Sequence, residues 1–247
     1  MNDVMLLGES TANRFPVLGL PVHLHHNYHN WLLNRLYKGL GTHVITLNAE
    51  MAIQADRDRH LAEVIRGAEL VIPDGAGIVL YLRLKGKPTQ RCPGIELAES
   101  FLQKIGQQNC SDLVFFYGGK PGIAQRAADL FQQKIPNLAI ASYHGYLSAS
   151  EEEQLKDSLK DLQPPVIFVG LGVPRQELWI AKNRHLCPNS IWIGVGGSFD
   201  IWAGTKKRAP AWFCDNHLEW LYRLYQEPWR WKRMLALPQF ALKALLS

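Results

Sequence analysis

The chain has 247 residues, 47% of them hydrophobic and 20% charged, with a formal net charge of +5. That composition suits one large globular unit or two closely packed lobes. No apolar run reaches the roughly 18 residues that a spanning helix needs, and the opening MNDVMLLGES lacks a basic region followed by an apolar one, so the expected place is the cytoplasm, without a membrane span. Cys92, Cys110, Cys187 and Cys214 stand far apart with no CxxC pair, which excludes a zinc knuckle or a disulfide framework and predicts reduced thiols. The charge is uneven. Residues 206–247 carry eight Lys or Arg against Asp215, Glu219 and Glu227, so residues 1–205 are neutral and the basic tail points to an anionic partner: a diphosphate, a lipid surface or nucleic acid.

In chain order, the first 40 residues suggest a strand near 16–20 and a helix near 28–38. From there the pattern alternates. HVITL (43–47), ELVI (69–72), DLVFFY (112–117), LAIASY (138–143), PVIFVG (165–170) and SIWIGV (190–195) read as buried strands, and 49–67, 121–134 and 150–161 read as amphipathic helices between them. This is the βαβ signature of an α/β fold, a Rossmann-like parallel sheet with flanking helices. The last 40 residues form a helical, basic, Trp-rich appendage in which Trp212, Trp220, Trp229 and Trp231 interleave with arginines and Pro228 and Pro238 divide short helices. The expected division is a core over 1–205, its first part to about 110 and its second over about 111–205, followed by the appendage over 206–247.

Ligands of such sheets bind at the carboxyl ends of the strands, where helix N-termini converge. Those ends carry Asn48, Asp74-Gly75, Gly118-Gly119-Lys120-Pro121-Gly122, His144-Gly145-Tyr146, Gly172-Val173-Pro174-Arg175-Gln176-Glu177 and Gly196-Gly197-Ser198-Phe199-Asp200. The loop Gly118–Gly122 fits a phosphate cradle and a plain tight turn equally well. Gly170-Leu171-Gly172 begins like a dinucleotide fingerprint, but Arg175 stands at the third glycine position and no acid ends the next strand, which argues against an NAD site. Glu177 reads as an acid complementing a helix dipole, a structural role. Asp56-Arg57-Asp58 resembles a metal-binding DxD, yet inside a helix its carboxylates point about 200° apart, so a solvated face is the better reading and no metal site is expected. Asp74 before Gly75 is ordinary turn chemistry and could cap the next helix; set between apolar runs, it could equally be a general base with a raised pKa. Local sequence favours the turn.

The strings TLNAE (46–50), PDGAG (73–77), GGKPG (118–122), HGY (144–146), GLGVPRQELW (170–179), GVGGSFD (194–200), AGTKKRAP (203–210) and LEWLYRLYQEPWRWKR (218–233) together resemble the WecG/TagA/CpsF family of bacterial glycosyltransferases, in family order. The resemblance implies inverting, metal-independent transfer of a sugar from a UDP-sugar, with no cofactor, to a polyprenyl-diphosphate-linked acceptor sugar. N-acetylmannosamine is the favoured donor sugar; UDP-glucose or another hexose is the alternative. It further implies Asp74 as catalytic base with Thr46, Asn48 and Gln176 as neighbouring polar groups. Gly118, Gly119, Lys120, Gly122, Gly145, Tyr146, Gly172 and Arg175 would line the nucleotide, and Arg223, Arg230 and Arg233 would fold over the site at an anionic membrane surface. Arg91 opens Arg91-Cys92-Pro93-Gly94-Ile95-Glu96, where many members have Asp at the position of Glu96. A homo-oligomer stays open. Nucleic acid is not an expected partner, because residues 1–205 are neutral and no strand-borne aromatic motif is evident.

Overall fold

The computed structural model describes residues 13–107 and 113–246. Cys110 and the opening ten residues lie outside them. The described residues begin with a hairpin: β1 (Asn13–Val17) and β2 (Leu20–Leu24) pair antiparallel. One strand was expected near 16–20, but Leu18 and Gly19 both take positive φ (49° and 77°) and turn the chain back there. Helix α1 (Tyr28–Tyr37), capped by the Asn27 side chain, leads to β3 (Thr42–Leu47). The single helix expected over 49–67 is two, α2 (Ala49–Arg57) and α3 (Arg59–Gly67). Asp58 breaks it, with extended φ/ψ and a carboxylate that accepts the Leu61 N–H at 3.1 Å. The DxD is therefore split: Asp58 is a cap and Asp56 accepts from the Lys243 ammonium at 2.9 Å.

Next come β4 (Leu70–Pro73), α4 (Ala76–Leu84), α5 (Gly94–Gln107), β5 (Leu113–Gly118), α6 (Ile123–Lys134), β6 (Ala139–Tyr143), α7 (Ala149–Leu162), β7 (Val166–Gly170), α8 (Arg175–Asn183), β8 (Ile191–Gly194) and α9 (Ser198–Trp202). The tail holds α10 (Ala211–Asp215), α11 (Glu219–Gln226), α12 (Trp231–Met234) and α13 (Ala236–Leu246). Pro238 sits in the first turn of α13 and does not divide it, since a first-turn proline leaves no intrahelical bond unmade.

The six core strands run parallel in the order β4-β3-β8-β7-β5-β6. After β3 the chain steps outward to β4, after β5 it steps outward to β6, and it then returns to lay β7 and β8 between the two halves. The last strand is thus central, and the tail that follows it emerges at the cleft between the ends of β3 and β8. Helices cover both faces, which is why the strands read as nearly continuous apolar runs. On one face Phe116 meets Phe168, Phe199, Trp202 and Phe131 at ring-centroid distances of 5.6, 5.0, 5.7 and 6.2 Å. On the other, Phe115, Ile167, Trp192 and Trp179 pack under α7 and α8. Phe116 is fully buried at the centre of its cluster. Phe116→Ala should lower unfolding free energy by about 3–5 kcal/mol, read as a fall in urea midpoint at unchanged m-value.

Candidate functional site

The Asp74 loop is built by β4's pairing with β3. Asp74 and Gly75 both donate their N–H to the Leu47 carbonyl, at 3.0 and 3.2 Å, which turns the chain sharply at the sheet edge. The N-cap of α4 is Gly75, with no side-chain cap bond, so Asp74 does not cap that helix. Its Oδ1 instead accepts the Gly94 N–H at 3.0 Å, and the carboxyl faces a cavity of about 560 Å³ between the strand ends and the tail. Burial is the largest influence on this carboxyl and pushes its pKa up, against the opposing pull of Arg223, the Gly94 N–H and Arg91.

Three residues stand close around it. Asn48 lines the cavity while its Oδ1 caps α2 by accepting from Met51 N at 2.9 Å. Thr46 is buried behind the loop, where a Cβ on Gly94 would come within 2.6 Å of its methyl, so the 91–94 segment crosses it closely. Arg91, on that segment, reaches the cavity and pairs with Glu219.

The tail closes the cavity from above. Arg223, Arg230 and Arg233 all line it, and each meets a carboxylate: Arg223 with Glu219 at 2.8 Å, Arg230 with Glu227 at 3.1 Å, Arg233 with Glu50 at 3.6 Å. Glu219 is the keystone. Only 8% exposed, it receives Arg91 from the core on one oxygen and Arg223 from its own helix on the other. Burial alone would raise its pKa, but Arg223 and Arg91 outweigh it and hold the carboxyl below the usual range. The same arginines also wall a second cavity of about 330 Å³, floored by Gly197 and Ser198 and rimmed by Lys206, Lys207 and Arg208. Arg208 pairs with Glu96, at the end of the Arg91–Glu96 stretch.

Gln176 lies elsewhere in role. Its Oε1 accepts the N–H groups of Gly172 and Gly196 at 3.1 and 3.0 Å, and its Nε2 donates to Glu177 at 2.8 Å. Glu177 is fully buried and receives His43 Nε2 from β3 at 2.7 Å. The amide's bonds therefore fasten the ends of β7 and β8 together and to β3, and Glu177 has the structural part its position suggested. Gly118, Gly119, Lys120, Gly122, Gly145 and Tyr146 sit on the far half of the sheet edge. With four strand spacings of about 4.8 Å separating β4 from β5, they cannot touch the same atom as Asp74. There Gly119 donates to Gly170 O, Gly145 donates to Gly119 O, and Arg175, itself exposed, donates to Gly145 O at 3.0 Å. Tyr146 and Lys120 point outward.

The sequence profile of the Glycosyl transferase WecG/TagA/CpsF family matches residues 15–247. The chain belongs to this family. Among its relatives, an N-acetylglucosaminyldiphosphoundecaprenol N-acetyl-beta-D-mannosaminyltransferase of Bacillus spizizenii is 37% identical over 207 residues, which cover 83% of this chain and 79% of the relative. Proteins of the same name from Bacillus subtilis and Staphylococcus aureus are each 36% identical, over 208 residues (83% and 80%) and 201 residues (81% and 78%). The protein is accordingly a glycosyltransferase. Among the described residues no helix is long and apolar enough to cross a membrane. Cys92, Cys187 and Cys214 are free thiols.

Two groups of this glycosyltransferase's site went unassigned in the sequence. Glu219 had a legible sign, its i,i+4 spacing to Arg223, but that spacing alone reads as a surface pair. Glu50 was inside TLNAE and became visible only once the tail was laid over it. Glu219→Ala should loosen the tail before the core: cleavage C-terminal to Thr205 in limited proteolysis should quicken about tenfold, while the core's urea midpoint stays close to that of the unaltered protein. A tail as protected as before would show that the clamp lies elsewhere.

Proposed function

We propose that the protein transfers N-acetylmannosamine from its UDP-sugar to N-acetylglucosamine carried on a polyprenyl diphosphate, in one inverting displacement that needs no metal ion. The observation that carries this reading is the juxtaposition of a carboxyl with raised pKa, Asp74, and three tail arginines around one cavity. The relatives' shared name supplies the sugars.

In the mechanism, Asp74 takes the proton of the acceptor hydroxyl as that oxygen attacks the anomeric carbon. The bond from that carbon to the diphosphate breaks on the opposite face, and UDP departs with the electron pair. Arg223, Arg230 and Arg233 meet the charge that develops on the leaving diphosphate, from a wall shared by both cavities. Arg91 steadies the acceptor side. The nucleoside runs from the smaller cavity along the strand ends toward Gly172, Arg175 and the Gly118–Gly122 and Gly145-Tyr146 loops. Thr46, Asn48 and Gln176 hold the backbone that presents these groups. The exposed Trp212, Trp229 and Trp231 and the basic residues of the tail bring the enzyme to the anionic inner face of the membrane, where the lipid-linked acceptor lies.

The pH dependence has a definite sign. The base works ionised and its pKa is raised, so kcat should fall on the acid side at a pH above the ordinary carboxylate range. The same shift means that ionised Asp74 costs stability at neutral pH. Asp74→Asn, which keeps the acceptor for Gly94 N–H, should lower UDP release by about 10²–10⁴-fold with UDP affinity within about threefold and a thermal midpoint at pH 8 no lower than that of the unaltered enzyme. The assay uses a short-chain prenyl-diphosphate-linked N-acetylglucosamine and compares UDP-N-acetylmannosamine with UDP-glucose as donors. Near-normal turnover by the Asn variant would remove Asp74 from the base role, and turnover with UDP-glucose alone would reassign the donor.

Deleting everything after Thr205 should abolish turnover and binding to anionic vesicles together. Retained vesicle binding would separate the tail from the membrane.

A further inference from the structure

The Asp74 cavity is amphipathic along its length. One end holds Asp74, Asn48 and the arginines; the other is walled by Leu80 and Leu84 of α4 and by Leu237, Ala241, Ala244 and Leu245 of α13. A nucleotide sugar has no hydrocarbon with which to fill that second end. The two walls come from different parts of the chain and are held at a fixed spacing below the groove. There Phe240 is buried, meets the Tyr81 ring at 6.3 Å, and lies where a Cβ on Gly77 would touch it at 3.6 Å. Above that contact the groove opens to solvent between exposed leucines: Leu80 is 57% exposed, Leu84 68% and Leu245 78%. Leu80 and Leu84 are one turn apart and so present one face. A continuous apolar strip that starts at a cation cluster and ends at an open mouth complements an occupant with an anionic head and a hydrocarbon tail.

We propose that this groove binds the first isoprene units of the acceptor's prenyl chain, with core helix α4 and tail helix α13 as its two walls. The inference rests on the acceptor reading above and adds to it a binding site for the lipid itself, separate from adhesion of the tail to a membrane. The acceptor's diphosphate sits against Arg91, the linked sugar reaches Asp74, and the chain leaves between Leu84 and Leu245 toward the bilayer. The enzyme then grips the head of the lipid above the membrane plane, and the core takes part through α4 as well as the tail.

The test measures direct binding of farnesyl diphosphate and of inorganic diphosphate in buffer free of lipid and detergent, so that membrane adhesion contributes nothing. The unaltered protein should bind farnesyl diphosphate at least about tenfold more tightly, since several methylene-sized groups leave water in the groove. Leu84→Gln and Ala241→Trp alter exposed positions of the two walls, and each should bring that ratio below about threefold by weakening farnesyl diphosphate alone. Equal affinity for the two ligands in the unaltered protein, or a ratio that survives both substitutions in proteins with unchanged circular dichroism, would overturn the groove. Turnover gives an independent readout: a groove that discriminates in an enzyme that releases no UDP with any prenyl-linked acceptor leaves the lipid site standing and removes the proposed reaction. Release at equal kcat/KM from farnesyl-linked and methyl-linked acceptors removes the groove and keeps the reaction.

Discussion

The arrangement depends on one topological constraint: the last strand of the sheet is laid into its middle. With β8 between β3 and β7, the outer pair β4-β3 and the far trio β7-β5-β6 become one sheet only through it. The joint is fastened by polar bonds that run from the functional edge to the start of β3: Gln176 holds the backbones of Gly172 and Gly196 just past β7 and β8, Glu177 meets Gln176, and His43 near the start of β3 meets Glu177. His43, Gln176 and Glu177 are buried, so a slip of β8 would leave their polar atoms without partners. A rigid edge follows, and the chain leaving it runs through α9 and α10 before it arrives over Asp74.

Electrostatics then decides what that edge can do. Four arginines converge on the cavity with Asp74, and carboxylates from both the core and the tail answer them. The net result for Asp74 is instructive: burial outweighs the arginines, leaving a carboxyl that holds its proton more firmly than an ordinary one. Glu219 goes the other way because both its oxygens are engaged by guanidinium groups. Two acids a short distance apart are thus driven in opposite directions, one toward proton exchange and one toward a permanent charge.

Much of this was legible in the sequence. All six core strands lay where β-branched and aromatic runs placed them, because a sheet covered on both faces leaves a strong apolar signal. The family strings fall at the strand ends, TLNAE and PDGAG beside the Asp74 cavity and GGKPG and HGY on the far half of the edge. The misses have local causes. Leu18-Gly19 hides a hairpin inside what reads as one strand, and Asp58 splits a helix whose periodicity continues across the break. Asp74 illustrates the limit: its own neighbours favoured a turn or a cap, whereas in the fold its carboxyl caps no helix, accepts the Gly94 N–H and lines the cavity beneath the tail. The pairs Arg91–Glu219 and Arg233–Glu50 were out of reach for the same reason, since they are set by how a tail folds back across more than a hundred residues.

The tail is fixed to the core at both its ends and at two points between them, where Glu219 meets Arg91 and Arg233 meets Glu50. At its start Lys206 meets Asp200 and Arg208 meets Glu96; at its end Phe240 is buried against Gly77 and Tyr81, and Lys243 meets Asp56. A segment tethered at both ends is a strap, not a flap. It cannot swing clear without giving up an anchor, so its natural motion is a small bow outward between neighbouring anchors, and because loop-closure entropy grows only slowly with length, closing it again costs little. The two cavities that share its row of arginines therefore lie open beside the strap, with no hinged end to lift.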